Sequence, residues 1–510
     1  MTRHRPAKPR NFRSTLSVAL GMAVGMSAPL GLVLLAGCSN RAAPPEVAAR
    51  IVSDTVAKIE TNRNASRPSN ETPIVFEAQS GETVDAFEGT FTVPENRTDP
   101  DSRTLTLHYI RFPTTTDKPG APIVYLSGGP GGSGIDTAKR DRFPLFMAMR
   151  QHGDVIAYDQ RGTGRSDDMQ RCTRPGRPLT EVVSDADAMA DSVAALRDCM
   201  TEWEDAGIDL DGYDTVENAR DLDALRQHLG AEMLSLWGIS YGSHLGLTAL
   251  RELDGRIERA VFASIEGPEQ TVKLPARTDA YFDRLQTAMT ERDPETPDVK
   301  ALIRRVHAAF DAEPKLLTID GIQAVFHRRD LQSFLSGAIA DPKWAMLVVE
   351  IYRDMDQGDM SSFEALYGRW GVTSDHGFSP MNRLTDIASG TDAARRVLID
   401  SQAETALIGA TLNAPYQFED IRPELVLDAA FRRPVESEVP VLLLSGTLDG
   451  RTYPEAAREA MMGLSRAHAV LIDGAGHNLF MTDMVVGETI HRFMRGEADL
   501  PSELSVPIPE

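Results

Sequence analysis

The sequence predicts an α/β protein in which a mostly parallel sheet is flanked by helices and interrupted by an inserted helical block. Three observations support this prediction. Short apolar runs alternate with helical stretches, the alternation stops in the middle of the chain, and a Gly-x-Ser-x-Gly motif joins one apolar run to a helix. The chain has 510 residues, which is enough for such a core and for more than one domain.

Short apolar runs bounded by polar residues predict the strands of the sheet. Leu105, Leu107 and Tyr109 alternate with polar residues, as in a half-buried strand, and Phe87 and Phe91 suggest an earlier partner strand. Runs of the fully buried kind lie at residues 122–126, 155–158, 234–237, 260–263, 441–444 and 469–472. Helical stretches such as 215–229 lie between several of them, and this alternation indicates a mostly parallel sheet of the eight-stranded type.

The alternation fails between about Glu266 and Pro440. The runs in that region have helical periodicity and lie at residues 278–292, 342–355, 361–370 and 391–412. We expect a helical block inserted between two strands to form a cap over the strand ends, where open α/β sheets bind their ligands. The alternative is a cap that only covers and stabilises the core, without a role in substrate selection.

The N-terminal residues have the pattern of a secretory signal. A basic segment from Arg3 to Arg13 precedes an apolar, uncharged stretch from Leu16 to Leu35. Residues 35–38, Leu-Ala-Gly-Cys, resemble a bacterial lipobox, in which the cysteine is lipidated and becomes the new N-terminus. We therefore expect an exported protein anchored to the cell envelope through acyl chains on Cys38. The alternative is a signal anchor that stays uncleaved.

These patterns divide the chain into expected segments, of which the one after the signal is polar and typical of a flexible tether. They are the lipoprotein signal peptide (1–37), the tether (38–72), the first part of the core (73–266), the helical cap (267–438), the second part of the core (439–499) and a C-terminal tail (500–510).

The acidic composition argues against several classes of partner. The chain has 75 Asp and Glu against 53 Lys and Arg, for a formal net charge of −22. Such a charge disfavours nucleic acid or an anionic membrane surface as the main partner. No His or Cys cluster has metal-ligand spacing, and no Walker lysine follows the glycine-rich loop. We therefore expect neither a metal nor a cofactor; the oligomeric state is not indicated.

Residues 238–242, Gly-Ile-Ser-Tyr-Gly, are the most informative motif of the chain. The apolar run 234–237 leads into the motif and a helix-like run at 244–250 leads out of it. A nucleophile elbow requires this strand–turn–helix context, and the glycines matter because a Cβ would clash in the tight turn. The motif predicts that Ser240 is a nucleophile at the start of a helix, where the dipole favours negative charge.

A serine nucleophile needs a base to take its proton and an acid to orient the base. Asp449 and His477 follow the last two apolar runs, so we expect both at the carboxyl ends of strands, on the same edge as Ser240. The chain order Ser, Asp, His is the order found in hydrolases built on such sheets. The sequence therefore predicts the triad Ser240, Asp449 and His477, with Glu266 as the rival acid.

The glycine-rich loop at residues 127–132 predicts an oxyanion hole for the tetrahedral intermediate. We expect one donor from the backbone N–H of Tyr241 and the second from Gly129. Gly128 is the alternative donor, whereas Pro130 has no N–H to give. The same loop also fits the G-x-G-x-x-G pattern of a dinucleotide site. The proline inside the turn, the export signal and the triad favour the oxyanion loop.

Three motifs carry a family resemblance. Residues 128–132, 159–166 and 238–242 resemble the α/β-hydrolase branch of proline iminopeptidases, and more closely the secreted tripeptidyl aminopeptidase-like group. The likeness covers residues 87–266 and 439–493. It implies an α/β-hydrolase fold with an inserted cap, and a serine hydrolase that releases short N-terminal pieces from peptides. A carboxylesterase with the same triad and an inactive hydrolase-like binding lipoprotein are the alternatives.

The two cysteines besides Cys38 also point to an exported protein. Cys172 and Cys199 lie 27 positions apart, and in an oxidising compartment we expect them to form a disulfide. The alternative is two buried free thiols; the family resemblance implies the pair. The resemblance further implies that Asp159 and Arg161 brace the oxyanion loop.

Two further points concern how this chain compares with the family that it resembles. Many family members have Asp-Pro where this chain has Asp449-Gly450. Proline iminopeptidases hold the free amine of the substrate with glutamates of the cap. The resemblance therefore implies cap carboxylates facing the substrate, and the sequence leaves open which of these four would serve: Glu266, Asp279, Glu350 and Glu364.

Overall fold

The computed structural model describes residues 68, 70–166 and 169–508. The predicted signal peptide, the predicted lipidation site Cys38 and most of the predicted tether lie outside the described residues. In the described part of the chain, no helix is long and apolar enough to cross a membrane. The same part contains no cluster of three or more His, Cys, Asp or Glu side chains that could hold a metal ion.

The described strands form one large sheet and two small ones. In chain order they are β1 (Thr72–Glu77), β2 (Thr83–Pro94), β3 (Thr104–Phe112), β4 (Ile123–Leu126), β5 (Val155–Tyr158), β6 (Cys172–Arg174), β7 (Leu234–Ser240), β8 (Ile257–Ile265), β9 (Lys315–Ile319), β10 (Ile322–Phe326), β11 (His376–Phe378), β12 (Val441–Gly446), β13 (Ala467–Asp473) and β14 (Glu503–Ser505).

Within the described residues the large sheet has ten strands in the order β1-β2-β3-β5-β4-β7-β8-β12-β13-β14. The pairs from β1 to β5 are antiparallel, and the pairs from β5 through β4 to β14 are parallel. Each of the six buried runs predicted from the sequence is a strand in the parallel part. The predicted α/β fold class is therefore present, with more strands than the eight expected.

The α-helices lie on both faces of the sheet and in the insert. They are α1 (Gly134–Lys139), α2 (Phe143–Met149), α3 (Asp185–Asp205), α4 (Thr215–His228), α5 (Tyr241–Glu252), α6 (Pro275–Arg292), α7 (Val299–Ala312), α8 (Arg328–Ala338), α9 (Pro342–Asp356), α10 (Ser361–Tyr367), α11 (Pro380–Ser389), α12 (Ala393–Ala403), α13 (Pro454–Ala460) and α14 (Met484–Met494).

Two hydrophobic clusters cover the two faces of the large sheet. On one face α1, α2 and α14 pack on the sheet, where the rings of Phe146 and Trp237 lie 5.1 Å apart. On the other face α3, α4, α5 and α13 pack on the sheet, through residues such as Leu222 and Leu245. Burial of both faces explains why the parallel strands read as continuous apolar runs in the sequence.

The insert between β8 and β12 contains helices α6 to α12 and has its own hydrophobic cluster. It also contains the hairpin β9–β10, which the sequence analysis did not predict. The hairpin turns at Asp320 and Gly321, whose φ angles are 49° and 84°. An Asp-Gly pair between two short apolar runs is a strong signal for a two-residue hairpin turn. The helical periodicity of the segments on both sides of the hairpin led to the prediction of a purely helical insert.

A disulfide joins Cys172 to Cys199, with their Cα atoms 5.7 Å apart, so the predicted pairing is present. Cys172 begins β6, which pairs with β11 of the insert through the register Cys172 to Phe378. Cys199 lies on α3 and is buried. The disulfide therefore fixes the segment to which the insert attaches.

The prediction of a C-terminal tail at residues 500–510 is wrong for part of that segment. Residues 503–505 form β14, which pairs in parallel with β13 at the edge of the sheet. Val506 is only 5% exposed and joins the hydrophobic cluster beneath this edge. Alternation of Leu504 and Val506 with polar residues was the signal for a short edge strand.

Candidate active site

Ser240 lies at the turn between β7 and α5 with φ 56° and ψ −129°, a conformation that L-residues rarely adopt. The flanking glycines leave no room for side chains. A Cβ on Gly238 would come within 2.5 Å of the carbonyl oxygen of Gly242, and a Cβ on Gly242 would overlap the carbonyl of Leu126. The local sequence thus permits the strained turn that exposes the serine hydroxyl.

Asp449 and His477 form a hydrogen-bonded pair. Nδ1 of His477 lies 3.0 Å from Oδ2 and 3.1 Å from Oδ1 of Asp449, whose side chain is buried. Oδ1 of Asp449 also accepts from the backbone N–H groups of Arg451 and Thr452, and the Thr452 hydroxyl donates to Oδ2 at 2.6 Å.

The surroundings of Asp449 favour its ionised form. Burial alone would raise the pKa of Asp449, but His477 and the hydrogen bonds from Thr452 outweigh burial and hold this pKa below its ordinary value. An ionised Asp449 accepts the Nδ1–H of His477 and leaves Nε2 of the ring to act as a base.

Ser240 and His477 line the same cavity, which has a volume of about 720 Å³. The cavity lies between the carboxyl edge of the sheet and the insert. Gly128 and Ile239 line it from the sheet side, and Asp386 on α11 lines it from the insert. The candidate nucleophile and the candidate base therefore line one space that a small substrate can enter.

The glycine-rich loop lies directly against the nucleophile. A Cβ on Gly128 would lie 3.1 Å from Cβ of Ser240, and Gly129 lines the cavity with φ 131°. Tyr241 follows Ser240 as the first residue of α5. Asn382 of the insert donates its side-chain N–H to the carbonyl of Pro130 at 2.8 Å. Of the predicted oxyanion donors, Gly129 therefore lines the same cavity as Ser240, and Tyr241 follows Ser240 directly in the chain.

Asp159 and Arg161 contact different parts of the protein. Asp159 accepts from the hydroxyl of Ser133 at 2.6 Å and from the backbone N–H of Ile135 at 3.0 Å, so it braces the end of the glycine-rich loop. Arg161 does not brace that loop, which corrects the expectation. Its buried guanidinium pairs with Asp221 of α4 at 2.7 Å.

Glu266, the rival acid, is paired with Lys273 and not with His477. Both residues line the cavity. Burial lowers the pKa of the Lys273 ammonium, although Glu266 opposes this effect. The geometry therefore gives the role of orienting acid to Asp449.

The other three cap carboxylates suggested by the family resemblance do not line the cavity. Asp279 accepts from the backbone N–H of Leu407 at 3.1 Å, and Glu364 accepts from that of Thr318 at 3.3 Å. Glu350 pairs with exposed Arg353.

Asp386 on α11 is a cavity residue that the sequence analysis missed. Its carboxylate is surrounded by protein but partly open to the cavity, and it makes no hydrogen bond or ion pair with any described residue. Burial raises the pKa of Asp386 to about 7; Glu266 adds to the rise, while Arg383 and Lys273 oppose it. Asn382, Arg383 and Asp386 share one polar face of a helix whose other face is apolar, and that pattern was the available signal.

The segment between α8 and α9 of the insert is hydrogen-bonded to the loops that carry Asp449 and His477. The backbone N–H of Gly450 donates to the carbonyl of Ile339 at 3.0 Å, and that of His477 donates to the carbonyl of Ala340 at 2.8 Å. A Cβ on Gly450 would lie 2.5 Å from the Ile339 carbonyl oxygen. A proline at position 450, as in the Asp-Pro of the family that the sequence resembles, has no N–H and could not donate this hydrogen bond. The glycine after Asp449 therefore permits this contact with the insert.

The chain belongs to the α/β-hydrolase fold family, whose model matches residues 121–483. This match spans the candidate nucleophile, acid and base together with the insert.

Among known proteins, the chain is 29% identical over 187 residues to the serine protease Hip1 of Mycobacterium tuberculosis, covering 35% of this chain and 36% of the relative. It is 30% identical over 193 residues to a tripeptidyl aminopeptidase of Streptomyces lividans, covering 36% of each. A probable proline iminopeptidase of Streptomyces coelicolor is 28% identical over 158 residues, covering 31% of this chain and 37% of the relative. Each match therefore spans little more than a third of the relative's own length.

Proposed function

We propose that the protein is a serine peptidase that releases short pieces from the free N-terminus of peptides. One observation carries the proposal above all: the buried Asp449 holds His477 at 3.0 Å, in the cavity onto which the strained Ser240 opens. Relatives named serine protease and tripeptidyl aminopeptidase support the peptidase assignment, over the third of their length that is matched.

The proposed reaction uses these groups in turn. Nε2 of His477 takes the proton of the Ser240 hydroxyl while Oγ attacks the scissile carbonyl. The backbone N–H groups of Gly129 and Tyr241 stabilise the negative oxygen of the tetrahedral intermediate. His477 then gives its proton to the leaving amine as the C–N bond breaks. Water, activated by the same histidine, hydrolyses the acyl-enzyme and restores Ser240.

The insert supplies a candidate group for the substrate's free ammonium. Glu266 is already paired with Lys273, which leaves Asp386 and the exposed Asp141 as the cavity carboxylates without an ion-pair partner among the described residues. Of these two, only Asp386 lies in the insert. Arg383 is a nearby opposing charge, but its guanidinium lies over the rings of Phe378 and Phe418, at 5.8 and 5.7 Å. An ammonium that reaches Asp386 would gain a partner, and the carboxylate would become ionised.

Matched peptides test the proposal. Wild-type protein should cleave unblocked short peptides, and cleavage should fall sharply when the N-terminus is acetylated, because acetylation removes the charge and changes little else. A fluorophosphonate probe should label Ser240. Equal cleavage of free and acetylated peptides, or hydrolysis of acyl esters alone, would replace the aminopeptidase proposal with the carboxylesterase alternative. Absence of any hydrolysis or labelling would favour the inactive binding protein.

We further propose that the protein is anchored to the bacterial cell envelope through a lipidated Cys38, on the basis of the lipobox-like residues 35–38. Mature protein should partition with membranes and carry acyl chains on Cys38. A Cys38→Ser variant should be mislocalised and should keep its hydrolase activity. Mass spectrometry that finds a mature N-terminus elsewhere, without lipid, would contradict this proposal.

A further inference from the structure

Arg142 is a cavity residue that the proposed reaction does not use. It lies in the segment between α1 and α2, and it contacts the site at two fixed points. Its guanidinium donates to the hydroxyl of Tyr125 and, at 2.5 Å, to the side-chain carbonyl of Asn478. Because Asn478 follows His477 in the chain, Arg142 is held beside the catalytic histidine.

The charge of Arg142 is not neutralised in the described part of the protein. Both of its hydrogen-bond acceptors are uncharged, and no carboxylate among the described residues forms an ion pair with it. A guanidinium has five N–H donors, so more remain for a ligand. The guanidinium also lies 5.9 Å from the ring centre of Tyr125 and 6.0 Å from that of Phe480, which limits its movement.

The charged residues next to Arg142 in the chain do not neutralise its guanidinium. Asp141 is exposed and lines the same cavity, so it partly offsets the local positive charge. Arg140 also lines the cavity, but its side chain is 68% exposed and lies 3.8 Å from the carboxylate of Asp136. Exposed charges are screened by solvent and salt, whereas half-buried Arg142 is held in place by its hydrogen bonds.

The position beside His477 defines which part of a substrate would meet Arg142. In the proposed reaction His477 gives its proton to the leaving amine, so the leaving peptide must extend on the histidine side of Ser240. We infer that Arg142 forms a binding subsite for a carboxylate on the leaving side of the scissile bond. This inference rests on the proposed function and adds a second recognition point to it.

Two kinds of peptide present such a carboxylate. A short peptide cut near its C-terminus presents the terminal carboxylate, and a longer one presents the side chain of Asp or Glu just after the cut. Both can form the charge-assisted, two-point hydrogen bonds that guanidinium groups make with carboxylates. With Asp386 meeting the ammonium in the insert, the cavity would bind peptides at both ends and favour short ones.

The test compares peptides that differ only in that carboxylate. A free-amine tripeptide extended by Ala-Ala should be cleaved with about tenfold higher kcat/KM as the free acid than as the C-terminal amide, mainly through KM. A tenfold difference corresponds to about 1.4 kcal/mol. A C-terminal amide with Asp directly after the scissile bond should regain the higher kcat/KM if side-chain carboxylates also bind to Arg142.

Variants separate recognition from a structural role. Arg142→Gln should bring the acid-to-amide ratio close to one, and Arg142→Lys should restore part of it. Arg140→Gln is the matched control and should keep the wild-type ratio. A ratio near one in wild-type protein, or an unchanged ratio in Arg142→Gln, would overturn the inference. Because the readout is a ratio, a general loss of activity in a variant does not affect it.

A second measurement does not depend on peptide cleavage. With a p-nitrophenyl ester as reporter, the dipeptide Ala-Ala should inhibit wild-type protein about tenfold more strongly as the acid than as the amide. The Arg142→Gln variant should be inhibited equally by the acid and by the amide. If peptides are not cleaved but this difference in inhibition is present, the aminopeptidase proposal fails and the subsite stands. Equal inhibition of wild-type protein by the acid and by the amide would contradict the proposed subsite, whichever substrate the protein cleaves.

Discussion

The sheet edge and the insert line the same cavity, but their acidic groups are held in opposite ways. Asp449 on the sheet edge is buried, and His477, Arg451 and Thr452 all donate to it. Asp386 in the insert has no hydrogen-bond partner among the described residues, and its pKa is raised to about 7. A carboxylate that accepts hydrogen bonds on both oxygens is held in one position, whereas a carboxylate without a partner is free to bind a ligand. This difference fits the proposed function, in which the sheet edge carries the reaction and Asp386 of the insert meets the free ammonium of the substrate.

The largest expected effect tests the sheet edge. Ser240→Ala and His477→Ala should each lower kcat by roughly 10⁴-fold or more, and the double variant should be little worse, because the members of a triad act as a unit. Steady-state kinetics with a good substrate measure this, and Ser240→Ala should also lose fluorophosphonate labelling. Near-normal turnover in Ser240→Ala would show that the chemistry lies elsewhere.

The next effect tests how the insert is attached to the core. Replacing both Cys172 and Cys199 by serine should lower the free energy of unfolding by about 3.5 kcal/mol, since the disulfide closes a long loop. Denaturant unfolding measures the loss, and wild-type protein under reducing conditions should show the same value. Because neither cysteine lines the cavity of Ser240 and His477, folded variant protein should still react with a fluorophosphonate. A variant as stable as wild type would mean that the bond contributes nothing to the attachment.

The two regions also differ in how much the sequence revealed. Ser240, Asp449 and His477 could be proposed because each follows a buried strand, and parallel strands bring their carboxyl ends to one edge. Asp386 was missed, because the sequence shows the polar face of α11 but not how α11 packs against distant parts of the chain to bring that face to the cavity. The same limit explains the mistake about Arg161, whose partner Asp221 is close only in the folded protein.

A smaller effect tests the contact between the two regions. Gly450→Ala should destabilise the protein by about 1–3 kcal/mol, because a Cβ would press on the carbonyl of Ile339, which accepts the N–H of Gly450. It should also lower kcat, since Gly450 follows Asp449, the candidate acid of the triad. Gly487→Ala is the matched control, because a Cβ there meets no atom within 4 Å. Equal stability of the two variants would show that the insert can move without cost.

The last expected effect is similar in size to that of Gly450→Ala and concerns Asp386 and pH. Its pKa in the folded protein is about 7, against an ordinary value of 3.8. Between these pH values the folded state keeps a proton that the unfolded state releases, so the free energy of unfolding falls as pH rises. The full difference would be about 4 kcal/mol, and partial exposure to the cavity reduces it to about 1–3 kcal/mol. Asp386→Asn should therefore be more stable than wild type at pH 8 by this amount, and about equal to it at pH 4.

Denaturant unfolding of wild type and Asp386→Asn at pH 4, 6 and 8 measures the effect, with exposed Glu350→Gln as the control that should follow wild type. A free-amine peptide sharpens the test in a Ser240→Ala background, which prevents turnover. Its ammonium pairs with the ionised carboxylate, so it should stabilise that protein more at pH 8 than at pH 5, and an acetylated peptide should not. If wild type and Asp386→Asn keep a constant difference from pH 4 to pH 8, Asp386 titrates at its ordinary pKa. The insert would then hold its carboxylate no differently from an exposed group, and the contrast with Asp449 would no longer separate recognition from chemistry.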